Sequence, residues 1–377
     1  MGQTPQPKQQ GKQRLRLSRA AWRRISGQID PLRSIAGYKT RLLYSAASAT
    51  NSLLAKMQSL AHAEALERAK VPPPIFLLGF WRSGTTLLHE LFCCNTHFGF
   101  PSTYACMNAA HFLLTEQGFH KRRGKQEAYR PMDNMQYSWT SPQEDEFALF
   151  CMGAPSPYEA LLVPSLMSDP KVLLDLRQHS LENQVRWKQT LQLFLRELTV
   201  QQNKPMALKS PTHGFTFPLL PSLFPGSRFV IIERNPYEVF ASNLKLWQTL
   251  LDMYSLELAS SEQIEKFVLA AYLIHEDAIA EGIHKTAPED IARVRYEDLI
   301  ADPLRELKRI YSELKLSGFE DARPLIESYI ASVAGHQRNR LVLSPAQKNS
   351  VDQLWGALIR EKGYGWPENW LTLKAPA

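Results

Sequence analysis

Residues 75–86 read Ile75-Phe76-Leu77-Leu78-Gly79-Phe80-Trp81-Arg82-Ser83-Gly84-Thr85-Thr86, and this stretch restricts the fold more than any other. It follows a sharp break at Val71-Pro72-Pro73-Pro74. Four consecutive apolar residues bounded by Pro and Gly predict a short strand buried on both faces. Thr85 to Phe92 continues with helical character. A strand that feeds a helix through a tight glycine-containing loop points backbone N–H groups at one place, where an anion is favoured. The pattern G-x-x-x-x-G-x-[ST] matches a phosphate-binding Walker A loop except at the lysine position, which is Thr85. Gly79, Arg82, Ser83, Gly84, Thr85 and Thr86 are therefore candidate phosphate-binding residues. Any strand-to-helix turn can carry two glycines; the position directly after a buried strand favours the phosphate loop.

Further short apolar runs end in polar residues. Met206-Ala207-Leu208 leads into Lys209-Ser210-Pro211, and Arg228-Phe229-Val230-Ile231-Ile232-Glu233 leads into Arg234-Asn235-Pro236. A weaker run covers Ile291 to Tyr296. Residues 262–280 and 303–314 carry apolar side chains at helical spacing. Alternating strands and helices predict an α/β domain, a P-loop-like three-layer fold with a mainly parallel sheet. Residues 13–70 read as a helical extension, with Asp30-Pro31 expected to start a new helix, and residues 1–12 as disordered. The expected division is 1–70 and 71–377.

Arg234 stands at the carboxyl end of a predicted strand and Ser242 eight residues further along, about two helical turns. A guanidinium and a hydroxyl so placed can grip one phosphate from two sides. A surface salt bridge and an ordinary helix-face Ser would be the plain alternative for this pair on its own.

The chain has 377 residues and a formal net charge of +7. Residues 1–70 hold 13 Lys and Arg against 3 Asp and Glu, a net of +10; the rest holds 31 against 34, a net of −3. The basic character belongs to the first segment, which reads equally as a basic helix lying on anionic lipid or as a solvated extension. It carries no nucleic-acid-binding motif. No apolar run has the ~18–20 residues of a membrane span, and no apolar core follows the N-terminal charges as in a secretory signal. Cys93, Cys94, Cys106 and Cys151 form no C-x-x-C pair, so free thiols are expected. The expected setting is cytoplasmic, with residues 13–70 as the candidate for peripheral membrane contact. No spacing of His, Cys and Asp predicts a metal site, and nothing indicates an oligomeric state.

Taken together, the loop and the Arg234–Ser242 element resemble the sulfotransferases that use 3′-phosphoadenosine 5′-phosphosulfate (PAPS), in particular a bacterial branch grouped with tyrosylprotein sulfotransferases. The resemblance spans about residues 74–366. It implies that Arg82-Ser83-Gly84-Thr85-Thr86 binds the 5′-phosphosulfate and that Arg234 and Ser242 bind the 3′-phosphate. Leu208-Lys209-Ser210-Pro211 matches the family's L-K-S-P segment. Tyr296-Glu297-Asp298-Leu299-Ile300-Ala301-Asp302-Pro303 matches another segment and implies that Tyr296 lies near the adenine. A late basic cluster, His336-Gln337-Arg338-Asn339-Arg340, either closes over the 3′-phosphate as in the family or is a solvated loop.

The implied activity is transfer of a sulfuryl group from PAPS to a hydroxyl or amine of a small-molecule, lipid or saccharide acceptor, without a metal. A loose in-line transition state needs cations and N–H donors aimed at its charge; Arg82, the loop amides and Lys209 are the candidates. A general base is also required. His213, four residues past Lys209, and Glu146, beside apolar Phe147 and Phe150, are the two candidates. Glu144 is expected to be structural, closing a capping box with Ser141. Two rival readings are a P-loop kinase, with Glu233 ending a Walker B strand, and a non-catalytic protein that retains the fold.

Overall fold

The computed structural model describes residues 14–123, 127–129, 136–333 and 342–367. Arg19–Gln28 (α1) and Tyr38–Ala61 (α2) precede strand Ile75–Leu78 (β1) and helix Thr85–Cys93 (α3). A small antiparallel pair, Glu127–Tyr129 (β2) and Gln136–Ser138 (β3), is followed by helix Glu146–Met152 (α4). Then come Ala207–Lys209 (β4), Arg228–Glu233 (β5), Pro236–Tyr254 (α5), Ser261–His284 (α6) and Ile291–Arg295 (β6).

Four strands make one parallel sheet in the order β4-β1-β5-β6. Ile75 is opposite Ala207 on one side and Arg228 on the other. Alternation in β1 sends Phe76 and Leu78 into one core and Ile75 and Leu77 into the other, and all four are buried. One face is covered by α3 and by Pro303–Glu313, through Leu88, Phe92, Leu307 and Ile310. The other is covered by α5 and α6, through Phe240, Trp247, Phe267 and Val268. This is the three-layer α/β arrangement read from the sequence. Because all four strands run the same way, the residues that follow β1, β4, β5 and β6 gather along one edge of the sheet. Open α/β sheets bind ligands at that edge, where the strand order reverses; here it reverses at β1.

One expectation needs correction. Pro31 starts no helix. Asp30 accepts from the Leu32 N–H at 2.9 Å, an Asx turn. The next residues pair with an extended segment, with Ile35 N–H on the Leu256 carbonyl and Leu258 N–H on that of Arg33. The helix waits until Tyr38. The first helix packs into the core of the rest of the chain. Leu15, Leu17, Ala21, Trp22 and Ile25 are buried in the same cluster as Phe147 and Phe150. The Ser18 N–H donates to the Cys151 carbonyl at 2.7 Å, and Arg24 pairs with Glu159 at 2.7 Å.

Trp22 stacks on Tyr44, with ring centroids 4.8 Å apart, and its Nε1 donates to Ser45 Oγ. Trp22→Ala is expected to cost about 3–5 kcal/mol and to lower the melting temperature of the whole domain in one transition. A body transition that stayed at the wild-type temperature would show that residues 14–70 fold as a separate unit.

Candidate active site

The loop after β1 is built for close approach. A Cβ on Gly79 would lie 2.6 Å from Ser83 Oγ and 2.8 Å from the Ile232 carbonyl, so only glycine lets the loop lie against β5. Gly84 has φ +101°, and a Cβ there would lie 2.3 Å from the Tyr296 ring. Arg82 also takes a left-handed φ of 69°, which turns the loop mouth toward the start of α3. Gly84 caps α3 without any side-chain hydrogen bond, leaving first-turn amides of the helix as anion donors. Ser83 Oγ is buried with no hydrogen-bond partner among the described residues. Thr85 is buried and Thr86 half-buried in the first turn. An uncapped helix start and an orphaned buried hydroxyl fit an anionic group in this cradle.

The second predicted element folds against the first. Pro236 opens α5, and Asn235 caps it by accepting from the Tyr237 N–H at 3.1 Å. Ser242 then faces back to the loop and accepts from Arg82 Nε at 2.9 Å. Arg234 Nη1 donates to the Arg82 carbonyl at 3.1 Å, and its Nε donates to Glu238 at 2.9 Å. Its guanidinium lies over the Tyr296 ring, 4.4 Å from the centroid. Asn243 ties α5 to the loop by donating to the Trp81 carbonyl at 2.8 Å. Arg82, Arg234, Ser242 and Tyr296 thus form one cluster at the carboxyl edge of the sheet.

Lys209 ends β4, is 2% exposed, and donates from Nζ to Glu144 Oε1 at 2.8 Å. The other Glu144 oxygen accepts from the Tyr158 hydroxyl, which accepts from Trp81 Nε1 at 3.3 Å. A continuous network runs from the phosphate loop to Lys209. Glu144 is not the cap residue read from the sequence. Ser141 Oγ accepts instead from the Ser138 N–H at 2.9 Å, and α4 starts only at Glu146.

The acidic triplet divides three ways. Asp145 holds His213 Nε2 at 2.8 Å, with both side chains fully sealed from solvent. Burial works against a charge on that imidazole, but the Asp145 carboxylate outweighs it and raises its pKa above the ordinary value. Glu146 accepts from Thr212 Oγ1 at 2.8 Å, and burial pushes its carboxyl up to about 7. It lines a small cavity with Ser156, Thr216 and Trp187. Lys209 therefore pairs with Glu144 rather than with His213 or Glu146. The sequence signal for Glu144 was the run of three acids itself, each of which needed a separate buried partner.

Glu233, the acid required by a Walker B reading, is held by Lys362 at 2.8 Å and Arg293 at 2.7 Å. Burial opposes its charge, yet these two cations hold its pKa below the ordinary value. His89 is also structural: it is buried on the Ala207 carbonyl at 3.0 Å, and burial and Lys209 push its pKa down to about 3. All four cysteines are free thiols. The basic cluster His336 to Arg340 lies outside the described residues.

Comparison with known proteins identifies the family. The model of the "Sulfotransferase family" matches residues 73–321. The omega-hydroxy-beta-dihydromenaquinone-9 sulfotransferase Stf3 of Mycobacterium bovis is 35% identical over 324 residues, covering 86% of this chain and 84% of that protein. In fold, sulfotransferase STF9 from Mycobacterium avium superposes with a TM-score of 0.66 at 16% identity, covering 92% of each chain. Sulfotransferase STF1 from Mycobacterium tuberculosis gives 0.63 at 18% identity, covering 89% of this chain and 92% of that one. With the loop lysine replaced by Thr85 and the Walker B acid tied up in ion pairs, the kinase reading falls away, and the chain belongs to the sulfotransferase family.

Proposed function

We propose that this sulfotransferase draws its sulfuryl group from PAPS and passes it to the hydroxyl of a small-molecule or lipid-like alcohol, with Glu144 as general base. The observation that carries this reading is the Lys209–Glu144 contact of 2.8 Å beside the phosphate loop. It sets an acid–base group and a cation at the same end of the sheet as the anion cradle. PAPS supplies an activated sulfur–oxygen bond. The loop amides, the start of α3, Ser83 and Arg82 hold its 5′-phosphosulfate. Thr85 and Thr86 contribute first-turn amides and hydroxyls, while Gly79 and Gly84 keep the path clear. Arg234 and Ser242 hold the 3′-phosphate, and Tyr296 supports Arg234 from beneath and borders the adenine.

In the transfer, Glu144 accepts the proton of the acceptor hydroxyl as that oxygen bonds to sulfur. The bond from sulfur to the bridging oxygen breaks, and adenosine 3′,5′-bisphosphate leaves with the electron pair. Lys209 and Arg82 balance the charge that builds on the leaving and equatorial oxygens. His213 and Glu146 act on position: their contacts with Asp145 and Thr212 hold α4 against the Lys209 turn. The relative Stf3 is named for an omega-hydroxy menaquinone derivative, which favours an alcohol on an apolar carrier over a saccharide.

Adenosine 3′,5′-bisphosphate is expected to raise the melting temperature more than ATP with Mg²⁺ does, and the reverse order would sink the donor assignment. Arg234→Ala should weaken bisphosphate binding roughly tenfold to a hundredfold, the range for losing charge-assisted hydrogen bonds; calorimetry on the two proteins decides it.

Glu144→Gln should lower kcat by a factor on the order of 10²–10⁴ while bisphosphate binding and melting temperature persist. Glu146→Gln should keep most of the turnover. Equal kcat for Glu144→Gln and wild type would remove Glu144 as the base.

Glu146 also makes a pH prediction. Its folded pKa of about 7 lies above the ordinary 4.5, so the fold binds a proton that the unfolded chain has lost. Stability contributed by that proton is present below pH 4.5 and is lost as pH rises through about 7. Glu146→Gln should flatten the fall in melting temperature across that window; an unchanged slope would show that another group titrates there.

A further inference from the structure

Helix α2 is inside out. Its side toward the protein is polar: Ser48, Asn51 and Gln58 are buried there beside Tyr44. Asn51 Nδ2 donates to the Leu17 carbonyl at 3.1 Å, and Gln58 Nε2 donates to Glu197 at 2.9 Å. Gln58 Oε1 accepts from the Leu113 N–H at 2.8 Å. Its side toward solvent is apolar. Tyr38, Leu42, Leu53, Met57 and Leu60 are 51–80% exposed, and their spacing puts them along one stripe. A 24-residue helix makes this stripe about 36 Å long. Scattered exposed leucines need no explanation, but a continuous apolar stripe does.

Charge decides what covers it. Residues 31–63 contain no Asp or Glu, and they hold Arg33, Lys39, Arg41 and Lys56. Arg33, Lys39 and Lys56 are exposed, as are Arg19 and Arg23 on α1, which packs beside α2. Two copies meeting through this face would bring cations onto cations, since the helix itself carries no carboxylate. An anionic lipid surface meets both demands: its acyl boundary accepts the leucines and its phosphates accept the lysines. Among the described residues no helix is long and apolar enough to cross a membrane, so α2 lies on the surface.

We infer that the outer face of α2 docks this enzyme onto an anionic bilayer, with Leu42, Leu53, Met57 and Leu60 in the acyl boundary and Lys39 and Lys56 at the headgroups. This rests on α2 alone and stands or falls independently of the acceptor. The test is flotation of the full chain with vesicles of phosphatidylcholine, with and without phosphatidylglycerol. Wild type should float with the phosphatidylglycerol vesicles and release as salt is raised. A variant carrying Leu42→Glu, Leu53→Glu and Leu60→Glu should partition at least roughly tenfold less at an unchanged melting temperature, since these side chains are exposed. Lys39→Glu with Lys56→Glu should remove the preference for phosphatidylglycerol. No flotation of wild type, or equal flotation of the triple variant, would overturn the inference. So would a wild-type dimer that ignores vesicles and becomes a monomer when the leucines are replaced, which would make a second copy the occupant.

Discussion

Lys209 cannot stay where β4 puts it without a partner. An ammonium 2% exposed loses most of its hydration, a loss of several kcal/mol that only a well-placed opposite charge offsets. Glu144 supplies that charge at 2.8 Å, and Glu144 in turn is held by Tyr158. Tyr158 sits in a short turn fixed by a capping box between Ser156 and Glu159, and Glu159 is the residue that pairs with Arg24 of α1. The demand for a counter-charge at one strand end therefore organises the phosphate loop, the acidic triplet and the N-terminal helix together.

The loop after β1 and the start of α5 are mechanically joined as well. Arg234 holds the backbone carbonyl of Arg82, while the Arg82 side chain holds Ser242, on the helix that Arg234 precedes. The left-handed φ of Arg82 makes this exchange possible, because it turns the carbonyl toward β5 while the side chain reaches α5. Such a conformation costs of order 1–3 kcal/mol and persists where surrounding contacts over-determine it. Here those contacts come from both the loop and α5, so a shift of Arg234 displaces Arg82 as well.

The strands, the glycine loop after β1 and the strand-to-helix turn at Arg234 were legible because each depends on local pattern. A proline break, an apolar run, two glycines and an Asn-Pro helix start announce themselves within ten or so residues. Glu144 was misread for the opposite reason. Ser141-Pro142-Gln143-Glu144 has the local form of a capping box, but His213 and Thr212, almost seventy residues away, draw Asp145 and Glu146 inward and begin the helix later. His213 stood out as a candidate base from its distance to Lys209 along the chain; its buried contact with Asp145 is a tertiary fact. The helix expected after Pro31 failed likewise, because pairing with residues 256–258 competes with local preference.

The same competition accounts for α2. Periodicity placed its leucines on one face, and the ordinary expectation is that such a face turns inward. Rotating the helix to bury them would strip the Leu17 carbonyl, the Leu113 N–H and the Glu197 carboxyl of the partners that Asn51 and Gln58 provide. Glu197 already sits at a pKa of about 8 because of burial, with the Gln58 contact drawing it back. Each orphaned buried polar group costs about 1–3 kcal/mol, comparable with the burial gain of a leucine, and three would be orphaned at once. The polar side is thus held inward by the body of the protein, and the apolar side is left facing out in a segment of net charge +10. The excess charge of the chain lies in the segment that carries this outward face, whereas the rest of the chain is itself slightly acidic.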